Sequence, residues 1–372
     1  MKFLIITHVQ HKLTENGLSA YSPYVKEMNI WLKHVDEVTI IAPKSLELKK
    51  TIDSYYKHDY ISFKEIPSIE FTSIKKVLSS ILKIPLIINV IFNACRTTDH
   101  IHLRCPGNIG LLGCLIQVLF PKKNKTAKYA GNWDPKAKQP LSYNVQKWLL
   151  SNTFLTKNIT TLVYGNWNNQ TKNIKSFFTA SYNNSEKELL KVRDYSQILK
   201  FVFIGSLVEG KQPLFAIKVV ELLNKQGRNV SLDIYGEGTL KPMLKNYISD
   251  NKLESKVTLF GNRRQNVIKE ALKSAHFSIL PSKSEGWPKA IAEAMFFGVI
   301  PIATSISCVP FMLDYGKRGI LIETDLNLAI ININTYLNDS DNLKLMSANA
   351  LKWSQTYNLD VFETEIIKLL KN

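Results

Sequence analysis

Cysteine is scarce in this chain of 372 residues, which has four, Cys95, Cys105, Cys114 and Cys308, and no C-x-x-C pair. That excludes a disulfide-stapled scaffold and leaves zinc-ribbon and thioredoxin-like sites without their ligands. Glycine (16) and proline (14) are too few for a collagen-like or low-complexity chain. Long apolar runs are missing too. The nearest, IPLIINVIF at 84–92, is interrupted by Pro85 and Asn89 and falls short of the ~18 residues of a membrane span. The start, MKFLIITHVQH, is too short for the core of a signal peptide and reads as a buried first strand. We therefore expect a cytoplasmic protein, soluble or peripheral on the inner face of the plasma membrane. No G-x-x-x-x-G-K-[ST] occurs, and no G-x-G-x-x-G follows the first strand, so P-loop and dehydrogenase chemistry lack their motifs.

Acidic residues are thin in the first half. Residues 1–180 carry 24 Lys+Arg against 11 Asp+Glu, residues 181–372 carry 24 against 20, and the net charge is +17. Such an excess suits an anionic partner, or it is simply a solvated basic surface. Nucleic acid is not expected as a partner, because no recognition motif accompanies the charge. The segment from Phe71, FTSIKKVLSSILKIPLIINVIF, sharpens the membrane option. It sets Ile74, Val77, Leu78, Ile81 and Leu82 at i, i+3, i+4, i+7, i+8 spacing, with Lys75, Lys76 and Lys83 off the stripe. This is either a basic helix lying in an anionic membrane surface or the core-facing helix of an α/β domain, which is the commoner case.

The dominant rhythm is short apolar strand, loop, helix. KFLIIT, VTIIAP, HIHL, KYAG and TTLVYG read as strands. YSPYVKEMNIWLKH, the stretch from Gly107 to Leu119, and QPLSYNVQKWLLSN read as helices. The polar stretch 179–197 reads as a linker. The rhythm then restarts with LKFVFIG, VSLDIYG, KVTLFG, HFSILP and VIPIAT as strands, and PLFAIKVVELLNKQG as a helix with Pro213 near its start and Gly227 at its end. Alternation of this kind implies parallel sheets with right-handed crossovers. The expected class is α/β: two doubly wound domains in tandem, with a ligand cleft between them at the carboxyl ends of the strands.

The strongest local signal is PSKSEGWPKAIAEAMFFGVIPIAT, residues 281–304. A strand ends at Pro281. A turn with Glu285 and Gly286 follows, and Pro288 suits the first turn of a helix that Gly298 ends. Backbone N–H groups near 286–290 would face the carboxyl edge, where a helix start takes phosphate or a sugar hydroxyl. Glu285 and Glu293, acceptor-only carboxylates eight residues apart, can grip one polyol at two places. Taken alone, such a pair more often only complements a helix dipole, worth ~0.3–1 kcal/mol. Other loops join it, however. FIGSLVEGKQP at 203–213 has Gly205 and Gly210 for a tight turn and Lys211 as a point charge for phosphate. IYGEG at 234–238 and LFGN at 259–262 are further glycine-containing strand ends. Four strand ends bearing Gly, Lys and Glu make a nucleotide-diphosphate site the expectation.

On these motifs, in this order over roughly 200–325, the chain resembles the retaining glycosyltransferases of family four, the group 1 glycosyl transferases. The resemblance implies the GT-B architecture: two facing Rossmann-like, doubly wound parallel-sheet domains with an interdomain cleft. An acceptor-side domain would cover 1–180 and a nucleotide-sugar-binding domain 198–356, with the helix at about 357–372 packing back on the first. Lys211 would hold the donor diphosphate and act with Glu285, which faces the donor sugar. Glu293 would bind the ribose hydroxyls. Gly286, Trp287, Pro288, Lys289 and Ala290 would line the sugar and phosphate pocket, with Gly205, Ser206, Gly236 and Glu237 on the neighbouring loops. Gly17, in the loop after the first strand, would approach the diphosphate from the first domain. No metal or organic cofactor is implied, and the nucleotide diphosphate sugar is a co-substrate.

The implied activity is transfer of a sugar, with retention, to a hydroxyl acceptor in cell-surface polysaccharide or lipid-linked glycan synthesis. A non-catalytic nucleotide-sugar or polyanion binder and a nucleotide-sugar epimerase are the alternatives. Departures from the family pattern bear on the details. Ser206 stands where an arginine usually follows the strand-end glycine, and Lys289, Arg263, Arg264 or Arg104 could compensate. HIHLRCPG puts Arg104 where a histidine is common, and GNWDP makes Asn132, Trp133 and Asp134 the acceptor-side candidates. SISCVP replaces a glycine-rich loop. Asp339-Ser340-Asp341 imitates a metal-binding Asp-x-Asp, but it lies between helical segments, where capping is its natural role.

Overall fold

The structure, a computed structural model, describes residues 1–47, 53–69, 73–189 and 192–371. Phe71 of the amphipathic segment and Leu190 and Lys191 of the linker lie outside them, as do the side chains of Ile74 and Lys75. The chain divides into two compact units, Met1–Phe177 with Glu363–Asn372, and Phe178–Phe362.

In the first unit the strands are β1 (Lys2–Ile6), β2 (Lys12–Thr14), β3 (Gly17–Tyr21), β4 (Glu37–Pro43), β5 (Asp53–Tyr55), β6 (Ile61–Ile66), β7 (His100–Cys105), β8 (Asn124–Tyr129), β9 (Ile159–Tyr164) and β10 (Ile174–Phe177). Its helices are α1 (Ser22–Leu32), α2 (Ile74–Thr97), α3 (Asn108–Ile116) and α4 (Leu141–Ser151). Seven strands form a parallel sheet in the order β10-β9-β8-β7-β1-β4-β6, and β2-β3-β5 form a small antiparallel sheet. Helices cover both faces of a parallel sheet, so its strands read as unbroken apolar runs. Phe3, Leu4, Ile5 and Ile6 of β1 are fully buried.

The second unit carries β11 (Leu199–Ile204), β12 (Val230–Tyr235), β13 (Val257–Gly261), β14 (Phe277–Leu280), β15 (Ile300–Thr304) and β16 (Ile320–Ile322), all parallel, in the order β13-β12-β11-β14-β15-β16. Its helices are α5 (Pro213–Lys225), α6 (Lys241–Asp250), α7 (Gln265–Ser274), α8 (Lys289–Phe296), α9 (Val309–Met312), α10 (Leu326–Leu337) and α11 (Ser340–Ser354). A last helix, α12 (Leu359–Lys371), begins in this unit and ends in the first. Each parallel sheet reverses its direction of growth once, between β1 and β7 in the first and between β11 and β14 in the second.

Three expectations need correction. The strand placed on KYAG is Asn124–Tyr129. Two lysines disguised it. Lys125 and Lys128 are buried, Lys125 giving its ammonium protons to the carbonyls of Gln117 and Phe120 and Lys128 lying 3.6 Å from the Glu27 carboxylate. The stretch 179–197 is no loose linker but part of the second unit's packing, where buried Arg193 donates to the carbonyls of Ala275, Phe297 and Gly298. The apolar run 84–92, expected to fall short of a membrane span, is part of one helix, α2, which continues through Pro85 to Thr97 and is long and apolar enough to cross one. Pro85 sits on the exposed side of the helix, away from the core, where the backbone donor it lacks costs least.

Candidate functional site

In an open parallel sheet, ligands bind outside the carboxyl ends of the strands where the strand order reverses. At the β11/β14 reversal two loops meet, Gly205–Gln212 and Pro281–Pro288. The Lys283 amide donates to the Gly210 carbonyl at 2.8 Å, tying one loop to the other. Lys211 and Glu285 form a close ion pair across them. Glu285 is 8% exposed, and a carboxylate so buried is tolerated only when paired and hydrogen-bonded. Lys211 is more open to water, and its ammonium has three protons, so it can hold Glu285 and still offer donors to a phosphate.

Glycine sets how closely the strand ends approach. Gly236 has φ +149°, and a Cβ there would lie 1.9 Å from the Gly205 carbonyl oxygen. The Gly205 amide donates to the Tyr235 carbonyl and that of Gly236 to the Gly261 carbonyl, each at 3.0 Å. Three strand ends thus become one continuous edge. Glu237 lies on its rim, paired with Lys241 at 2.7 Å, and Ser206 is exposed beside it.

The loop that departs from the family pattern has its own task. Ser307, in left-handed backbone at φ +51°, donates its hydroxyl to the Glu285 carbonyl at 2.7 Å, and the Cys308 thiol donates to the Gly286 carbonyl at 2.9 Å. Burial, and then the Glu285 charge, push the Cys308 thiol up. It is a fixed donor, not a nucleophile. Pro288 caps α8, so Lys289 and Ala290 open the helix with Gly286 and Trp287 just before it. Glu293, one turn further on, accepts a short hydrogen bond from the Ser181 hydroxyl. Trp287 is buried and stacks at 6.1 Å from Trp353.

In the first unit a pocket of about 280 Å³ lies at the β1/β7 reversal, with His8 and Gln10 after β1, Asn108 opening α3 and Tyr143 from α4. Gly107 makes room for it, since a Cβ there would sit 2.7 Å from His8 Nδ1. Desolvation by the packing around its ring and then the Arg104 charge lower the His8 pKa. The sequence marks none of these four as a ligand: His8 stands out only as a possible metal pair with His11, which lacks a third ligand, and the signal for His8 and Gln10 is polar side chains directly after a buried strand.

The acceptor-side candidates are placed otherwise. Arg104 is bound 3.0 Å from the Glu27 carboxylate, with its guanidinium 5.4 Å over the Tyr24 ring. Trp133 is 3% exposed, and its indole N–H donates to Gln170. Asn132 and Asp134 accept from the amides of Asp134 and Lys136 and so shape their own turn. Gly17 opens β3 and pairs with Thr14 in a hairpin instead of lying in a loop. His100 and His102 both bond the Thr126 hydroxyl. Asp339 caps α11, accepting from the Asn342 amide. Among the described residues no three His, Cys, Asp or Glu side chains gather as a metal-ligand set.

Comparison with known proteins bears on the fold and on the family of the second unit. Residues 184–353 match the sequence model of the family described as glycosyl transferases group 1. The amylovoran biosynthesis glycosyltransferase AmsK of Erwinia amylovora is 30% identical over 195 residues, covering 50% of this chain and 48% of that protein. The Escherichia coli UDP-Gal:alpha-D-GlcNAc-diphosphoundecaprenol alpha-1,3-galactosyltransferase is 32% identical over 152 residues, 40% of this chain and 39% of that one. The chain thus spans about half the length, or less, of the curated relatives it matches. In structure it is similar to Anabaena HepE in complex with UDP, with TM-score 0.68, 14% identity and both chains covered in full. The fold is therefore GT-B, and residues 184–353, which hold the Lys211–Glu285 pair, match the glycosyl transferases group 1.

Proposed function

We propose that this chain is a retaining glycosyltransferase that moves a hexosyl or related sugar from a nucleotide diphosphate donor to a hydroxyl of a lipid-linked or growing cell-surface glycan. The observation that carries the reading is the Lys211–Glu285 pair at the strand-order reversal of the second unit. The names of the relatives support the substrate class, one belonging to amylovoran biosynthesis and another acting on a diphosphoundecaprenol-linked sugar. In this reading the first unit's pocket at His8, Gln10, Asn108 and Tyr143 takes the acceptor. The enzyme works at the cytoplasmic side of a membrane, where such acceptors are assembled.

Bond changes follow from retention. The bond from the sugar's anomeric carbon to the donor phosphate oxygen breaks, and a bond to the acceptor oxygen forms on the same face. The acceptor proton passes to a phosphate oxygen, so no side-chain base is needed. Charge then builds on the departing diphosphate. Lys211 and the first-turn amides of α8 meet it in place, which is where preorganised donors lower a barrier most. Glu285 orients the sugar hydroxyls. This arrangement supplies positive charge without a divalent ion, so excess EDTA should leave the rate unchanged; loss of rate restored by Mg²⁺ would overturn that part.

The test is nucleotide release from UDP-, GDP- and ADP-sugars, with and without a polyprenyl-diphosphate-linked sugar acceptor. Release should require acceptor and fall by roughly a hundredfold or more in Glu285→Ala and Lys211→Ala, the scale for removing a transition-state contact. Conversion of the donor without acceptor would make the chain an epimerase. Donor binding without turnover would make it a non-catalytic binder.

A further inference from the structure

The helix α2 is apolar on two opposite faces. Ile87, Ile91, Ala94 and Cys95 point into the first unit's core. On the other side Leu78, Ile81, Leu82, Leu86 and Ile88 are between 40 and 82% exposed. At 100° per residue these five fall in one outward band along about three turns, ~15 Å of helix. A core helix needs only the inner band. The outer band continues on the next helix, since Phe92 of α2 packs on Phe120 beyond α3 at 5.3 Å, and Leu115 and Leu119 beside it are exposed. Lys76–Thr97 is also the one segment among the described residues that is long and apolar enough to cross a membrane. Its inner face is committed to the core, so it lies along the unit instead.

The charge around this band selects its occupant. Between residues 73 and 157 the sequence has thirteen Lys and Arg and two acidic residues, Asp99 and Asp134; three of the thirteen, Arg104, Lys125 and Lys128, are taken up inside the unit and are not part of this surface. Lys76, Lys83, Arg96 and Lys122 belong to the same helices and their ends. A second copy of the same face would bring like charges together, whereas an anionic bilayer attracts them and accepts the leucines below its headgroups. We propose that the α2–α3 face of the first unit docks on an anionic lipid bilayer, with Leu78, Ile81, Leu82, Leu86 and Ile88 inserted and the surrounding lysines and arginines on lipid phosphates. The inference goes beyond the transfer reaction and does not depend on it, because lipid binding and nucleotide release are read separately.

The experiment is flotation of the full chain with vesicles of phosphatidylcholine alone and of phosphatidylcholine with phosphatidylglycerol. The protein should float with the anionic vesicles, less so at high salt. The exposed pair Leu78→Gln/Leu82→Gln should lower the bound fraction by about tenfold or more, given the apolar area removed, with an unchanged melting temperature. Equal flotation with both vesicle types, or a double variant that floats like the wild type, would overturn the proposal. So would a wild-type dimer in vesicle-free buffer that the double variant converts to monomer, because the face would then be an interface between copies.

Discussion

Residue by residue, the sequence shows which side chains stand at the second unit's strand ends but not what the first unit's candidates meet, and burial explains the difference. Lys211, Glu285 and the strand-end glycines stand in loops, where a residue's type is its message. Arg104 and Trp133 carry functional-looking side chains whose use is decided by what they meet, Glu27 in one case and Gln170 in the other. No spacing in the sequence announces a partner 77 residues away. The buried histidines make a prediction at this scale. Burial lowers His11 and His100 to about 4 and His102 to about 3. For His11 the tautomer follows from its partners: Nδ1–H donates to the Val9 carbonyl, so Nε2 accepts from the Tyr56 hydroxyl. Above pH ~6.5 these rings are neutral folded or unfolded, and stability is full. As pH falls, the unfolded chain takes up protons that the folded chain refuses, and stability is lost down to about pH 4. His11 and His100 each withhold roughly 3 kcal/mol at the acid end and His102 roughly 5. Urea midpoints measured at about pH 7.5 and about pH 5 should differ clearly, and a flat profile would contradict the assignment.

Strands and helices that are long and apolar were legible from periodicity alone, as β1, β11, α1 and α5 illustrate. Short or edge elements were not. The hairpin of β2 and β3 has eight strand residues in all and was read as loop, and β8 was obscured by its two buried lysines. The interlock of β11 and β12 was visible only as glycines, without the contact that demands them. It predicts a contrast. Gly236→Ala drives a methyl into the Gly205 carbonyl and should destabilise the second unit by more than about 2 kcal/mol, with loss of donor binding. Gly210→Ala, in the same site but with nothing within 4 Å of the new carbon, should stay within about 0.5 kcal/mol of wild type. Paired thermal melts and donor titrations decide this, and similar losses in both variants would refute it.

For the whole molecule, the two-domain rhythm is evident in the sequence, and the first unit's expected end at 180 lies within three residues of Phe177; what polarity conceals is that the stretch after it belongs to the second unit. Arg193, charged yet buried among three carbonyls, belongs to a packed segment. The chain's last residues return to the first unit. There Glu363 meets Lys33 and His34, Glu365 meets Lys175, and Ile366 and Leu369 are buried. Deleting 363–372 should therefore cost the first unit about 3 kcal/mol or more, from the two apolar side chains alone, and leave donor binding by the second intact. A truncated chain that melts like the full one would rule this out. The same connectivity has a consequence for how such proteins change. The second unit is one unbroken stretch whose ends close on each other, with Phe178 against the rings of Tyr357 and Phe362 at 4.9 and 5.7 Å and the Leu359 amide donating to the Tyr182 carbonyl at 2.9 Å. In genetic terms it is an insert with matched ends. Recombination can exchange it as a cassette, replacing one unit while the sequence that folds the other stays as it is.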